Sequence, residues 1–475
     1  MELIASMENE EKPLSKLKFW SSNREELSER SDYPKIVLFS ALFGTATSSY
    51  PVTVLSASLP RVAQDLGTTD DSVTWVLAAP LLAFAVITPI AGKLGDLHGH
   101  RRTYLASFLL GGVLALLTAL SWNVGSLIFM RTLTQAATAA AGPSAMAIIL
   151  SVYGRKERSK ALGLWMAVVA LSPALGVVTG GPLIEWLGWR TLFVVQGLLV
   201  VVALFIGAKT LPETQKQSDV SFDIPGALTL GVGVGALLVA VNRGIVWGWE
   251  HPVVIFSAII SPLALIAFRN IENKTKMPLL PPKLMAKPNF TLPIAVQAIL
   301  QAAYMGAMII APFLLERRWG FRPTIIGLLM LPRPLAFAIA AKLGGTHDLD
   351  RGARRVSMTG CLVFATAMLI AGVGAQQKWL VVFILGAGLA GAGSGYIRAT
   401  IANTTTLAAG DQDLGVAGGS LNMLQMVGGT VGITLATAML GTSTSGSRFM
   451  AIHLAAGITA LLAAFLAARI KEPTE

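Results

Sequence analysis

The chain has 475 residues, of which 53% are hydrophobic and 13% are charged. Soluble domains carry about twice that share of charged residues, so the composition excludes an ordinary soluble protein. The net charge of +11 does not indicate a nucleic-acid partner, because the basic residues collect in alternate connections between apolar stretches. The single cysteine, Cys361, excludes a disulfide and a thiolate metal cluster.

Fourteen apolar stretches follow one another along the chain. A helix rises about 1.5 Å per residue, so about 20 residues cross a hydrocarbon layer ~30 Å thick, in which the backbone must satisfy its own hydrogen bonds. The predicted spans are 36–59, 72–91, 104–121, 126–151, 161–186, 191–208, 224–241, 252–268, 290–315, 324–343, 356–375, 379–402, 414–440 and 449–468. The sequence therefore predicts an all-α membrane protein.

The spans divide the chain into five segments. In order, they are a cytoplasmic N-terminal tail (1–34), an N-terminal six-helix bundle (35–210), a central segment with two additional helices (211–287), a C-terminal six-helix bundle (288–470) and a cytoplasmic C-terminus (471–475). The tail has no apolar core ahead of a cleavage site, so we expect no signal peptide. Most Lys and Arg lie on the side of both termini, which places that side in the cytoplasm and predicts a multi-pass protein of the plasma membrane.

Two similar turns follow the second and the tenth span. They read GKLGDLHGHRR at 92–102 and GGTHDLDRGARR at 344–355. Glycine permits sharp turns, and a carboxylate can accept hydrogen bonds from a helix N-terminus or an arginine. Either turn alone is also explained as a solvated basic loop, but the pair indicates two related halves around a cavity. The first turn supplies candidate switch residues: Gly92, Asp96, His98, Gly99, Arg101 and Arg102.

Three arginines fall within predicted spans, where an unpaired cation costs several kcal/mol. They are Arg131, Arg333 and Arg398. Arg333 stands between Pro332 and Pro334, so it either faces a cavity and favours anionic or zwitterionic ligands, or it pairs with carbonyls that the prolines leave free. Arg398 lies near the end of its span and is able to reach the interface. None of the 26 acidic residues lies near the middle of a span.

The ninth span carries an amphipathic stripe without charge. Gln297, Gln301 and Met305 recur at helical spacing, and Tyr304 is adjacent. Amides beside adaptable thioethers suit varied lipophilic ligands, whereas the alternative is hydrogen bonding between helices. Further candidate contacts with a ligand are Asn422, Gln425, Tyr50 and Trp165, the last two by aromatic stacking.

The motifs, taken together, resemble those of the major facilitator superfamily. The first turn is similar to motif A, G-x-L-x-D-R-x-G-R-[KR], with His98 slightly displaced, and Arg131 occupies the place of the motif B arginine. The glycines of the fifth span resemble motif C: Gly176, Gly180 and Gly181. With two extra helices, the chain resembles the fourteen-helix drug:proton antiporter branch. It departs from that pattern at Pro51, where relatives carry an aspartate, and at Val177, where motif C carries a proline.

The resemblance implies alternating access, in which two bundles rock about a site at the membrane midplane. It assigns the first turn to conformational switching and Arg131 to coupling. The sequence contains no G-x-x-x-x-G-K-[ST] phosphate loop, so uphill transport must draw on an ion gradient. We expect no cofactor, no metal and no enzymatic activity.

The predicted function is export of amphipathic small molecules, coupled to protons, by a monomer in the lipid bilayer. The missing acid in the first span leaves an alternative, an uncoupled or differently coupled carrier of an organic anion built around Arg333 and Arg131. A continuous pore and a non-transporting sensor with the same fold are further alternatives. His98 is a candidate for proton binding, with a plain polar loop residue as the other interpretation.

Overall fold

The computed structural model describes residues 27, 29–153, 168, 172, 183–214, 223–275, 278–280, 282–410, 414–441 and 443–471. The described part of the chain is helical and contains no strand. Its helices are α1 Tyr33–Asp65, α2 Asp70–His98, α3 His100–Thr118, α4 Val124–Thr138, α5 Ala141–Val152, α6 Trp189–Thr210, α7 Ile224–Trp247, α8 Pro252–Glu272, α9 Pro282–Met285, α10 Pro288–Trp319, α11 Pro323–Met330, α12 Pro332–Arg351, α13 Ala353–Gln377, α14 Leu380–Tyr396, α15 Arg398–Ala409, α16 Leu414–Leu440 and α17 Gly446–Ala467.

Ten helical stretches of the described chain are long and apolar enough to cross a membrane. Three of them combine two helices each: Val124–Val152, Pro323–Gly345 and Leu380–Ala409. The all-helical membrane fold is thus confirmed, while the count of fourteen stays a prediction. Most of the predicted span 161–186 lies outside the described residues.

Local sequence explains where several helices begin and break. The Asn123 side chain accepts a hydrogen bond of 2.7 Å from Ser126 N and caps α4. Pro332 opens α12 directly after α11, because proline lacks the N–H that would continue the helix. Pro143 stands in the first turn of α5, a position that tolerates proline.

In each of the two repeated turns, a single glycine separates two helices. Gly99 joins α2 to α3 with φ 95°, and Gly352 joins α12 to α13 with φ 81°. Both values lie in the region that side chains rarely adopt. The helix before the first joint extends to His98, beyond the predicted end at residue 91, so most of the motif is helical. The likeness of the joints supports two related halves.

Large apolar side chains cover the outer face of the helices. On α8, for example, Ile255, Phe256, Ile259, Leu263 and Ile266 are all exposed. So large an apolar surface is unfavourable for a soluble monomer in water, whereas lipid solvates it. The exposed residues therefore mark the surface that contacts the bilayer.

Contacts between helices fall into two groups. The first contains α1–α6, with α3 against α6 and α4, and the second contains α10–α17, with α10 against α16 and α13 against α14 and α17. The groups meet where α2 packs on α16 and where α1 packs on α10 and α11. The hairpin formed by α7 and α8 lies at this seam, because α7 contacts both α2 and α16.

The apolar core is shared at one end of the molecule. Leu59 and Val62 of α1 cluster there with Leu314 of α10 and Ile326 of α11, and we call it the Glu316 end. At the other end, called the Tyr33 end, each group has its own cluster. The first contains Tyr104 and Ile148, and the second contains Phe290, Phe364 and Ile401. The groups therefore share an apolar cluster at the Glu316 end, while a further cluster links α2 and α16 through the α7–α8 hairpin.

Candidate functional site

The joint at Gly99 is tied to the end of α6. Arg101 Nη1 forms a 2.7 Å ion pair with Glu213 Oε1, and its Nη2 donates a 2.8 Å hydrogen bond to the Ala208 carbonyl. His100 N donates to Thr214 Oγ1 at 2.8 Å. Sequence reasoning missed Glu213, because it lies 112 positions from Arg101 and no local pattern links the two. The joint is thus anchored within the first group of helices.

The other predicted switch residues are placed in different ways. His98 and Arg102 are exposed, and His98 Nδ1 lies 3.3 Å from the Leu94 carbonyl. Gly92 and Asp96 belong to α2, but their side-chain positions fall outside the description. Asp96 therefore stays a predicted switch residue.

Arg131 is buried inside the first group, with 1% of its surface exposed. Its guanidinium carbon lies 5.6 Å from the centre of the Phe193 ring. Its Nε and Nη1 have no hydrogen-bond partner among the described residues. A guanidinium so placed can attract an anion or a carboxylate that enters the interior.

Arg333 is buried in the second group, 5% exposed. Its Nη2 donates a 2.6 Å hydrogen bond to the Tyr304 carbonyl, and its guanidinium stacks 4.0 Å from the centre of the Tyr304 ring. The structure thus brings two predicted site residues together. The carbonyl belongs to α10, so it is not one that Pro332 and Pro334 set free within their own helix.

The predicted amide stripe lies largely between α10 and α16. Gln297 and Gln301 are buried, while Tyr304 and Met305 are half-buried. A Cβ added to Gly429 of α16 would lie 3.2 Å from Met305 Cγ and 3.6 Å from Gln301 Cγ. This position favours contacts between helices, although Met305 and Tyr304 keep part of their surface exposed.

The remaining predicted contacts are dispersed. Gln425 is buried, with an Oε1 that has no partner in the described chain, whereas Asn422 is exposed. The Tyr50 side chain lies outside the description, and Trp165 and the motif C glycines Gly176, Gly180 and Gly181 lie outside the described residues. Their roles stay predictions.

Polar contacts join the two groups at the Glu316 end. Gln64 Nε2 of α1 donates a 3.1 Å hydrogen bond to Glu316 Oε1 of α10. Thr324 Oγ1 donates to Glu185 Oε2 at 2.5 Å, and Arg322 lies 3.7 Å from the same carboxylate. No local sequence pattern predicts these contacts, because the hydrogen-bonded partners lie 252 and 139 positions apart.

A cleft of about 220 Å³ lies beside these contacts and is lined by both groups, including Arg61, Gln64, Glu316 and Ile326. At the Glu316 end, hydrogen bonds and an ion pair therefore join the two helix groups in addition to the shared apolar cluster. The arrangement defines a class: a polytopic helical membrane protein with two helix groups, each with a buried arginine, that share an apolar cluster at one end.

The chain belongs to the Major Facilitator Superfamily, whose family model matches residues 41–339. It is therefore a membrane transporter and not an enzyme. The resemblance found in the sequence is confirmed at this level, while the fourteen-helix branch stays a prediction.

Relatives of known name support the assignment. The chain is 30% identical to puromycin resistance protein pur8 of Streptomyces alboniger over 84% of this chain and 80% of that protein. It is 27% identical to multidrug transporter protein MdtP of Bacillus subtilis over 85% and 73%, respectively. It is 26% identical to the tetracenomycin C resistance and export protein of Streptomyces glaucescens over 86% and 75%.

Solved structures share the fold at low sequence identity. A bacterial homolog of the human lysosomal transporter Spinster matches with a TM-score of 0.66 and 15% identity, covering 94% of this chain and 100% of that one. The POT family transporter PepTSo matches with a TM-score of 0.67 and 15% identity, covering 93% and 97%. These likenesses confirm the transporter fold.

Proposed function

We propose that this protein exports amphipathic small molecules by alternating access, in exchange for protons. The observation that carries the proposal is the uneven joining of the helix groups. They share an apolar cluster at the Glu316 end, and each has its own core at the Tyr33 end. A carrier that rocks about a central site needs two such arrangements, closed first at one end and then at the other.

The proposal includes fourteen spans in a monomer of the plasma membrane, with both termini in the cytoplasm. The hairpin of α7 and α8 supplies the two helices beyond two six-helix bundles. The excess of Lys and Arg favours the Tyr33 end as the cytoplasmic end. In this orientation the conformation described is closed to the outside, and Gln64, Glu185, Glu316, Arg322 and Thr324 form its external closure.

The substrate class rests on the relatives and on the half-buried surface of α10. The names of pur8, MdtP and the tetracenomycin C protein describe resistance, multidrug transport and export. Tyr304 and Met305 offer an aromatic ring and an adaptable thioether to a lipophilic ligand. The Gly99 joint, with Asp96 before it, acts as the switch between the two conformations.

The test is transport by the full-length protein in liposomes with an imposed pH gradient. We expect uptake of an amphipathic cationic dye to saturate with dye concentration and to accelerate when the pH gradient is imposed. When a protonophore collapses the gradient, uptake should fall to the rate measured without one. Protein-free liposomes are the control. Dye movement that ignores the gradient would overturn proton coupling, and movement without saturation would indicate a pore.

A second candidate function is transport of an organic anion, and Arg333 favours it. Its Nε has no partner among the described residues, so a bound carboxylate can still gain a hydrogen bond there. In the same liposomes, saturable movement of an organic acid without any response of the dye to the gradient would support this carrier over the antiporter.

A further inference from the structure

Two buried carboxyl groups lie at the base of the α7–α8 hairpin, outside every site predicted from the sequence. Asp223 immediately precedes α7 and is 5% exposed, and Glu272 ends α8 and is 3% exposed. Both lie close to Gly226: a methyl group added there would lie 2.9 Å from Glu272 Oε1 and closer still to Asp223 Oδ2. The two carboxyl groups therefore share one small buried space.

Three of the four carboxyl oxygens accept backbone hydrogen bonds. Asp223 Oδ1 accepts from Gly226 N at 2.9 Å and caps α7. Glu272 Oε1 and Oε2 accept from Leu279 N at 3.1 Å and Leu280 N at 2.8 Å. The fourth oxygen, Asp223 Oδ2, is buried and has no partner in the described chain.

No cation of the described residues compensates the pair. The described basic side chains nearest along the chain, on α8, after it and on α9, are Arg269, Lys274 and Lys283, and all three are exposed; Lys276 lies outside the described residues. None of them forms an ion pair with either carboxyl group, and the described side chains of α16 carry no charge. Two adjacent carboxylates repel each other, which favours retention of one proton by the pair.

We propose that Asp223 and Glu272 together bind one proton, shared between Asp223 Oδ2 and Glu272 Oε1, and that this proton holds residues 278–280 against the hairpin. This proton forms a hydrogen bond between the two oxygens, so every oxygen of the pair is then hydrogen-bonded. Loss of the proton leaves two buried negative charges, which separate and release the amides of Leu279 and Leu280.

The carboxyl pair lies beside the contacts that connect the hairpin to the two helix groups. Leu279 belongs to the same buried apolar cluster as Ala227 and Phe268 of the hairpin and Met423 of α16. The α7 helix also contacts α2, so the hairpin touches both helix groups. The bound proton therefore stabilises residues 278–280 where the hairpin contacts both helix groups. A role of this site in regulating transport rests on the proposed proton-coupled function.

The test compares the full-length protein in lipid nanodiscs with Asp223→Asn and Glu272→Gln. The new amide side chain in Asp223→Asn keeps the cap through its oxygen and donates through its nitrogen, so it imitates the protonated state permanently. Glu272→Gln also removes the shared proton but keeps only one acceptor for the two amides. Glu250→Gln, at an exposed carboxyl group, is the matched control.

Hydrogen exchange of the Leu279 and Leu280 amides is measured against pH and corrected for the intrinsic rate. In the natural protein and in Glu250→Gln, protection falls by up to about tenfold per pH unit above the titration of the pair. In Asp223→Asn it stays high at every pH, and in Glu272→Gln it is low at every pH. Infrared absorption of a protonated carboxyl group accompanies the protected state and is lost in both variants of the pair.

Identical exchange profiles in the natural protein and Asp223→Asn would overturn the proposal, as would an infrared band that survives in both variants of the pair. Neither measurement uses substrate or a gradient. A dye flux that ignores the pH gradient would overturn the proposed coupling and leave these profiles unchanged, so the two failures are distinguishable.

Discussion

At the scale of single residues, Arg333 shows how a buried cation is stabilised without a carboxylate. It is 5% exposed, and its contacts are the carbonyl and the ring of Tyr304. A charged hydrogen bond and a desolvated cation–π contact each contribute about 1–3 kcal/mol. The arginine therefore fastens α12 to α10.

Substitution of Arg333 by Gln tests this role. We expect the free energy of unfolding to fall by about 1–3 kcal/mol, because the Tyr304 carbonyl loses a charged donor. The measurement is thermal unfolding in detergent, with the exposed Arg269→Gln as the control. An unchanged melting temperature in Arg333→Gln would contradict a structural role and leave ligand binding as its function.

The sequence predicts part of such a site. A charge inside an apolar span is rare, so Arg131 and Arg333 are recognisable from sequence alone. The Tyr304 carbonyl is not, since every residue carries a carbonyl and the partner lies 29 positions away. The same limit hid the pairing of Arg101 with Glu213 and the pairing of Asp223 with Glu272, because long-range contacts depend on packing between helices.

At the scale of helices, the sequence predicts where the single-glycine joints lie but not that each contains only one residue. The pattern of glycines and arginines indicates a turn near Gly99 and another near Gly352. The helices run to within one residue of each joint, because polar motif residues remain compatible with helix in water or at the interface. The break between α14 and α15 at Ile397 has no such signal in the sequence.

Substitution of Gly99 or Gly352 by Ala tests the joints. A side chain at φ near 90° costs about 1–2 kcal/mol, so we expect each variant to unfold at a lower temperature than the natural protein. Space is not the cause at Gly99, where the nearest atoms to an added Cβ lie 3.8 Å away.

Gly142→Ala is the matched control for both joints. Gly142 lies within α5, and nothing lies within 4 Å of an added Cβ. Alanine there favours the helix by roughly 0.5–1 kcal/mol, so this variant should be at least as stable as the natural protein. Equal losses at all three positions would show that the joints carry no special backbone requirement.

At the scale of the whole molecule, the sequence predicts two halves but not how they are joined. Each span is apolar along its whole length, so the two helix groups are able to close against each other at either end of the molecule. The choice of the Glu316 end depends on the shared cluster of Leu59, Leu314 and Ile326 and on the bonds above it. Alternating access, as proposed, requires two conformations of similar free energy that one sequence specifies.

Cross-linking across the Glu316 end tests whether transport requires that end to open. Gln64 and Glu316 lie in different helix groups, with 3.1 Å between their side-chain atoms. We expect cysteines at both positions, joined by a short bifunctional reagent, to reduce substrate flux to the background of protein-free liposomes. A reagent with a cleavable linker should restore the flux on cleavage. The buried Cys361 is replaced by Ala in this background.

The control cross-link lies within one group. Asn289 and Lys471 exchange two hydrogen bonds, of 2.8 and 3.0 Å, at the Tyr33 end of the second group. Rigid-body rocking leaves distances inside a group unchanged, so a link between cysteines at these positions should preserve the flux. If the Gln64–Glu316 link also preserves it, the two groups need not separate at that end, and the closure seen there is permanent. Alternating access would then be excluded for this protein, because a site sealed at one end cannot deliver substrate across the membrane.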